Sequence, residues 1–189
     1  MATNVQAPRP SAGYAFSALA AGAVVAVALG VYGRTHDPTG ETIVTFGLGG
    51  LASMKVWLSV VVGALAVVQV TTALWMYGHL GLRVPPRLGL VHRTSGALAV
   101  LTSLPVAYHC LWSLGYQSGS PRVFLHSLAG CVFYGAFVAK ILGLHGRRAP
   151  GWLVPCAAGL LLTALVLVVG TGAGWYVSEF GWPSTSTGH

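Results

Sequence analysis

The chain has 189 residues, of which 54% are apolar and 7% charged. Its apolar residues come in runs too long for a soluble core, which excludes a soluble globular domain and points to an integral membrane protein. Ten basic residues against three acids give a formal charge of +7. Because the basic residues flank apolar runs, this excess is a topology signal and not a nucleic-acid footprint.

Five runs reach spanning length, at 14–33, 54–77, 92–112, 122–143 and 152–172, each at or above the ~20 residues that cross a hydrocarbon layer of ~30 Å. Sheet alternation is absent, and backbone groups in lipid must be satisfied internally. The expectation is an all-α bundle of about five transmembrane helices forming one domain, 1–189. The first run follows Arg9 and holds small residues at Ala20 to Ala23. It resembles a secretory signal in outline, but its apolar length exceeds that of an h-region, so it reads as an uncleaved anchor.

The segment 34–53, RTHDPTGETIVTFGLGGLAS, is the one long connection and holds Asp37 and Glu41. It reads as a solvated connector, or as a docking surface or cap over a site beneath it. Its glycines form no phosphate loop, since GxxxxGK[ST] between a strand and a helix is absent. Pro85-Pro86 and Ala149-Pro150-Gly151 end and restart helices.

With the N-terminus inside, Arg9, Arg83, Arg87, Arg93, Lys140, Arg147 and Arg148 fall at the cytoplasmic face and Arg34, Lys55 and Arg122 outside. The C-terminal tail then lies outside. Trp57, Tyr108, Trp112, Tyr116, Trp175 and Tyr176 mark the outer interface, and Trp75, Tyr77 and Trp152 the inner one.

The third and fourth runs each carry a histidine near both ends, His92 and His109 on one, His126 and His145 on the next. Taken as antiparallel neighbours, they place these residues in two cross-helix pairs, and intramembrane imidazoles are a functional-site hypothesis by default. No acid lies inside any run, whereas proton relays and cation-coupled carriers place carboxylates at membrane depth. A bound cofactor accounts for the inventory better. Haem b suits it, because neutral imidazole ligates iron and only the propionates of the apolar macrocycle need polar company.

The outer pair, His109 and His126, lies at matched depth about one turn inside the ends of the runs. Arg122, four residues before His126, sits on nearly the same face as a propionate clamp, and Gly130 removes a side chain where a flat ring would approach. The spacing H-x-x-x-G recurs at His92 and Gly96. The inner pair, His92 and His145, is peripheral and misphased. The separation from His92 to His109 corresponds to ~25 Å and a turn of about −100°, and that from His126 to His145 to ~28 Å and about +100°. A second haem therefore needs helix tilt, a rotated site or a substitute ligand such as His79. Cys110, Cys131 and Cys156 lack CxxC spacing and read as small packing residues.

The segments HRTSGALAVLTSLPVAYH, RVFLHSLAGCVFYGAFVAKIL and APGWLVPCAAGLL resemble an uncharacterised family of small multi-pass membrane proteins from actinobacteria, over roughly residues 88–176. This resemblance implies no activity. In architecture, histidines on adjacent membrane helices resemble the di-haem cytochrome b and ferric-reductase-like groups. That likeness implies His92, His109, His126 and His145 as iron ligands, one haem or two, and electron transfer across the bilayer. Those groups space the two ligands of one helix about two heptads apart, and the longer spacings here are a departure.

The expected function is thus a plasma-membrane electron-transfer subunit or small reductase that exchanges electrons with a quinol or an extracytoplasmic redox protein. The alternative is a cofactor-free subunit or assembly factor of a larger membrane complex, whose histidines only pack and hydrogen-bond. A small-molecule transporter fits less well, with no carboxylates in the runs and no clear inverted repeat.

Overall fold

The computed structural model describes residues 10–185; Arg9 and the last four residues, used in the topology expectation, lie outside them. Among the described residues the chain is helical throughout, with no strand. The helices are α1 (Ala12–Thr35), α2 (Leu51–Met76), α3 (Leu88–Tyr108), α4 (Pro121–His145), α5 (Leu153–Val169) and the short α6 (Trp175–Phe180). A π-turn, His109–Ser113, extends α3, and a second, Gly170–Gly174, joins α5 to α6. Counted with these turns, five helices are long and apolar enough to cross a membrane.

Local signals set the starts. Ser11 accepts a hydrogen bond from the Tyr14 amide at α1, and Ser120 does the same for Val123 at α4, where Pro121 takes the first helical position. The spans run longer than the apolar runs suggest. Leu88 begins α3, so His92 lies one turn inside the helix and not at its first residue, and His145 is the last residue of α4 and not beyond it. The fifth span continues through the glycine-rich turn to Phe180 and so takes in the exposed Glu179, which a run ending at Gly172 left outside.

Helix surfaces sort by size. The large side chains Phe16, Val24, Val27, Val67, Leu101 and Val166 are exposed along the spans, as suits lipid and would be anomalous in water. The buried faces are small: Ala15, Ala18 and Gly22 on α1, Ala129, Ala136 and Ala139 on α4, Ala157 and Ala164 on α5. Apolar tails give no hydrophobic drive between helices, so small residues that let backbones approach take over. Where α1 crosses α4, a Cβ on Gly22 would stand 2.5 Å from the Gly135 carbonyl oxygen.

This packing makes two groups. Helix α4 lies between α1 and α5, while α3 packs on α2; the groups meet where α2 touches α5 and where the π-turn of α3 touches α1. Consecutive α3 and α4 share little direct packing. One side-chain hydrogen bond, Ser103 to Tyr134 at 2.9 Å, spans the gap between them.

At the end bearing the long connection, several bonds close the bundle. The Tyr116 amide donates to the Gly33 carbonyl at 2.6 Å, the Gly40 amide to Ser113 at 3.0 Å, and the Ser113 hydroxyl to the Glu41 carbonyl at 2.6 Å. Gly115 turns the chain there at φ +68, with Gly33 and Pro38 too close for a side chain.

Candidate functional site

Between the two helix groups lies a cavity of about 170 Å³ to which all five spans contribute. Its wall is largely apolar, from Leu29, Val62, Val106, Leu111 and Val168, with Lys55, Ser103, Tyr134 and His126 as polar points. Gly130 opens onto it, and a Cβ there would meet nothing within 4 Å. Of the expected outer pair, His126 faces this space. His109 is not in its wall, although Val106 and Cys110 on the same helix are.

His126 is held from α5. Its Nδ1 lies 3.1 Å from the Thr171 hydroxyl, and that hydroxyl spends its own proton on the Leu167 carbonyl. The imidazole therefore carries its proton on Nδ1 and donates it to Thr171, which leaves a lone pair on Nε2. The ring also rests against the second π-turn, where a Cβ on Gly172 would stand 2.8 Å from its Cε1.

His109 opens the first π-turn and is 1% exposed. Its Nδ1 lies 2.8 Å from the Pro105 carbonyl, an atom that only accepts, so Nδ1 is again the donor. Its Nε2 is buried with no protein partner. A buried, unsatisfied lone pair is costly and rare enough to require a reason.

His92 belongs to a network on α2. Thr72 donates to the Val68 carbonyl and accepts from His92 Nδ1 at 2.8 Å, while the Gln69 amide donates to the His92 carbonyl and to Ser95. Gly96 serves that network: a Cβ there would meet the Gln69 amide oxygen at 3.0 Å. Its surroundings thus differ from those of Gly130 despite the shared spacing. His145, exposed at the end of α4, donates from Nδ1 to the Ile141 carbonyl at 2.9 Å. His79 is exposed in the turn after α2.

Arg122 is already engaged. It donates to the Thr171 carbonyl at 2.7 Å and stands 3.6 Å over the Trp175 ring, and it is not in the cavity wall. Among the described residues no cluster of three or more His, Cys, Asp or Glu could hold a bare metal ion. The three cysteines are free: Cys110 and Cys131 line the cavity, and Cys156 is exposed.

The π-turns, Thr72, Thr171, Gln69 and Gly172 carry no mark in the sequence strong enough to single them out. The GTGAG run was the one visible signal, and it reads as a helix end. No curated protein and no solved structure matches the chain. A family model does match, over residues 15–184, and the chain belongs to that family, described as a family of unknown function (DUF6529).

Proposed function

We propose that this protein is a b-type cytochrome-like electron-transfer subunit or small reductase of the plasma membrane, with haem b ligated by His109 and His126 and, if a second haem is bound, His92 and His145 as its ligands. One observation carries the reading: all four imidazoles place Nδ1–H on an oxygen acceptor and keep the Nε2 lone pair free. Iron-ligating histidines are set this way, since the second hydrogen bond fixes the tautomer and raises ligand basicity. The partnerless Nε2 of His109 supports it, as do the two π-turns, a helix irregularity frequent at functional sites, one beginning at His109 and the other against His126.

His126 and the apolar wall suit haem, whereas His109 does not open onto this cavity. The cavity of about 170 Å³ is smaller than the ~300–1,000 Å³ of ordinary ligand pockets, so a macrocycle requires α3 and α4 to part. The two helices share scant packing and one side-chain hydrogen bond, but the bonds from Tyr116 to Gly33, Gly40 to Ser113 and Ser113 to Glu41 that close this end would have to give as well. When bound, haem supplies a one-electron couple at its iron. The chain's part is to fix the imidazoles through Thr171, Thr72 and the two carbonyls, to leave room at Gly130, and to exclude water with an apolar wall. With the N-terminus cytoplasmic, the His126 end lies outside, within reach of a quinol or an extracytoplasmic redox protein.

A cofactor-free subunit of a larger complex is the second reading, favoured by the engagement of Arg122 and Gly96 with the protein's own groups. A reduced-minus-oxidised visible spectrum separates the two. Purified protein, expressed with ample haem, should show a b-type spectrum, and the pigment should extract into acid acetone because no CxxCH attachment motif is present. His109→Ala and His126→Ala should each lower haem per polypeptide. Colourless protein would remove the cytochrome reading, and unchanged haem in both variants would remove these two ligands.

A further inference from the structure

The cavity between the helix groups is small, about 170 Å³, and its wall holds His126 but not His109. An apolar cavity of about 150 Å³ takes one benzene ring, so the space as it stands suits a single ring and not a macrocycle. The wall is largely apolar, and three of its polar groups have hydrogens still to give. Lys55, half-buried near the start of α2, has no acid in the wall beside it. Ser59, one turn further along α2 on the same wall, has no hydrogen-bond partner among the described residues. By contrast, Thr72, Ser95 and Thr163 each donate to a carbonyl one turn back, the ordinary use of a hydroxyl in a span. Ser127 on α4 accepts from the Gln117 amide and has no acceptor for its own proton among the described residues. Donors left over in an apolar cavity call for an oxygen.

Lys55 and Ser59 belong to one helix group and Ser127 to the other, so the donors come to the space from both sides. We propose that the cavity is a binding site for the head of a quinone-type lipid, a single ring with one carbonyl oxygen toward Lys55 and Ser59 and the opposite one toward Ser127. The ring takes the space in front of Gly130, where a Cβ would meet nothing within 4 Å. The tail leaves toward lipid between α3 and α4, which share little packing. The inference rests on the functional reading above only in taking the ring to be an electron carrier. It uses neither His109 nor His126 as a contact, although the ring and a haem on His126 exclude each other from this space.

Cys110 and Cys131 line the cavity and Cys156 does not, so the thiols report occupancy. Full-length protein in detergent is labelled with methyl methanethiosulfonate, and each cysteine is followed by mass spectrometry across a titration of duroquinone or of durene. Full methylation keeps duroquinone from adding to thiols, and durene is the same ring without oxygens. Duroquinone should slow labelling at Cys110 and Cys131, leave Cys156 unchanged, and act at a concentration about tenfold or more below that of durene. Lys55→Met should raise the duroquinone concentration needed by about tenfold, and Ser59→Ala by several-fold. Neither should alter protection by durene, which also reports that each variant is folded. No protection of the wild type by duroquinone, equal protection by the two rings, or equal loss for both rings in the variants overturns the assignment. Haem per polypeptide is read on the same preparations. Protection in colourless protein keeps the site and removes the cytochrome reading; a b-type spectrum without protection does the reverse.

Discussion

Thr171 and Thr72 do for His126 and His92 what backbone carbonyls do for His109 and His145: each takes the Nδ1 proton. A threonine hydroxyl can do this because its own proton goes to a carbonyl one turn back on its helix. Thr171→Val keeps the shape of the side chain and removes the acceptor. Loss of such a supporting hydrogen bond costs a ligated metal about 10–100-fold in affinity, so the variant should bind hemin more weakly by that order in a spectral titration while its helical circular dichroism stays unchanged. Unaltered affinity would make Thr171 a packing residue only. The histidines were legible in the sequence because imidazole is conspicuous in an apolar run. Their threonine partners were not, since each lies on a different helix from its histidine, and threonine in a span has an ordinary use in bonding its own backbone. The two glycines of H-x-x-x-G show the same limit. Identical spacing left Gly130 facing open space and Gly96 facing Gln69, a difference set by the neighbouring helix.

The π-turns are where the elements depart most from their expected form. A run ending at Gly172 is a sound reading of G-T-G-A-G, because glycine weakens helices. Yet the fifth span continues to Phe180, since lipid leaves the freed backbone groups no water and the i→i+5 bonds of the turn keep them paired. The cost of that turn coincides with a close approach, His126 seated on Gly172. Gly172→Val should therefore displace the imidazole, lower hemin affinity and broaden the haem spectrum. Gly170→Val, in the same turn but with nothing within 4 Å of its Cβ, is the control and should leave both nearly unchanged. Equal effects from the two would show that the turn tolerates no side chain anywhere, and that Gly172 has no special relation to His126. The caps at Ser11 and Ser120-Pro121 are local capping chemistry that the apolar runs, begun at 14 and 122, did not use.

At the scale of the whole molecule, five apolar spans and the all-helical class could be read from hydropathy, while the packing partners could not. Adjacency along the chain suggested that α3 and α4 pack together, but small residues decide which helices close up, and these join α1, α4 and α5 and leave α3 on α2. The cavity is a product of that division. The same geometry sharpens the orientation argument, because Lys55 faces the cavity and Lys140 and Arg122 lie within α4 and partly buried, so none of the three belongs in a count of loop charges. What remains is Arg83, Arg87, the exposed Arg93, Arg147 and Arg148 at one end, joined by Arg9 in sequence, against Arg34 at the other. The bias is steeper than in the full tally, and basic residues near span ends set which face stays in the cytoplasm. A phosphatase reporter fused after residue 185 should consequently be active outside the cell, and one inserted at Pro85 inactive. Reversal of the two signals would put the His126 end and its cavity on the cytoplasmic side, and would exchange an extracytoplasmic redox partner for a cytoplasmic one.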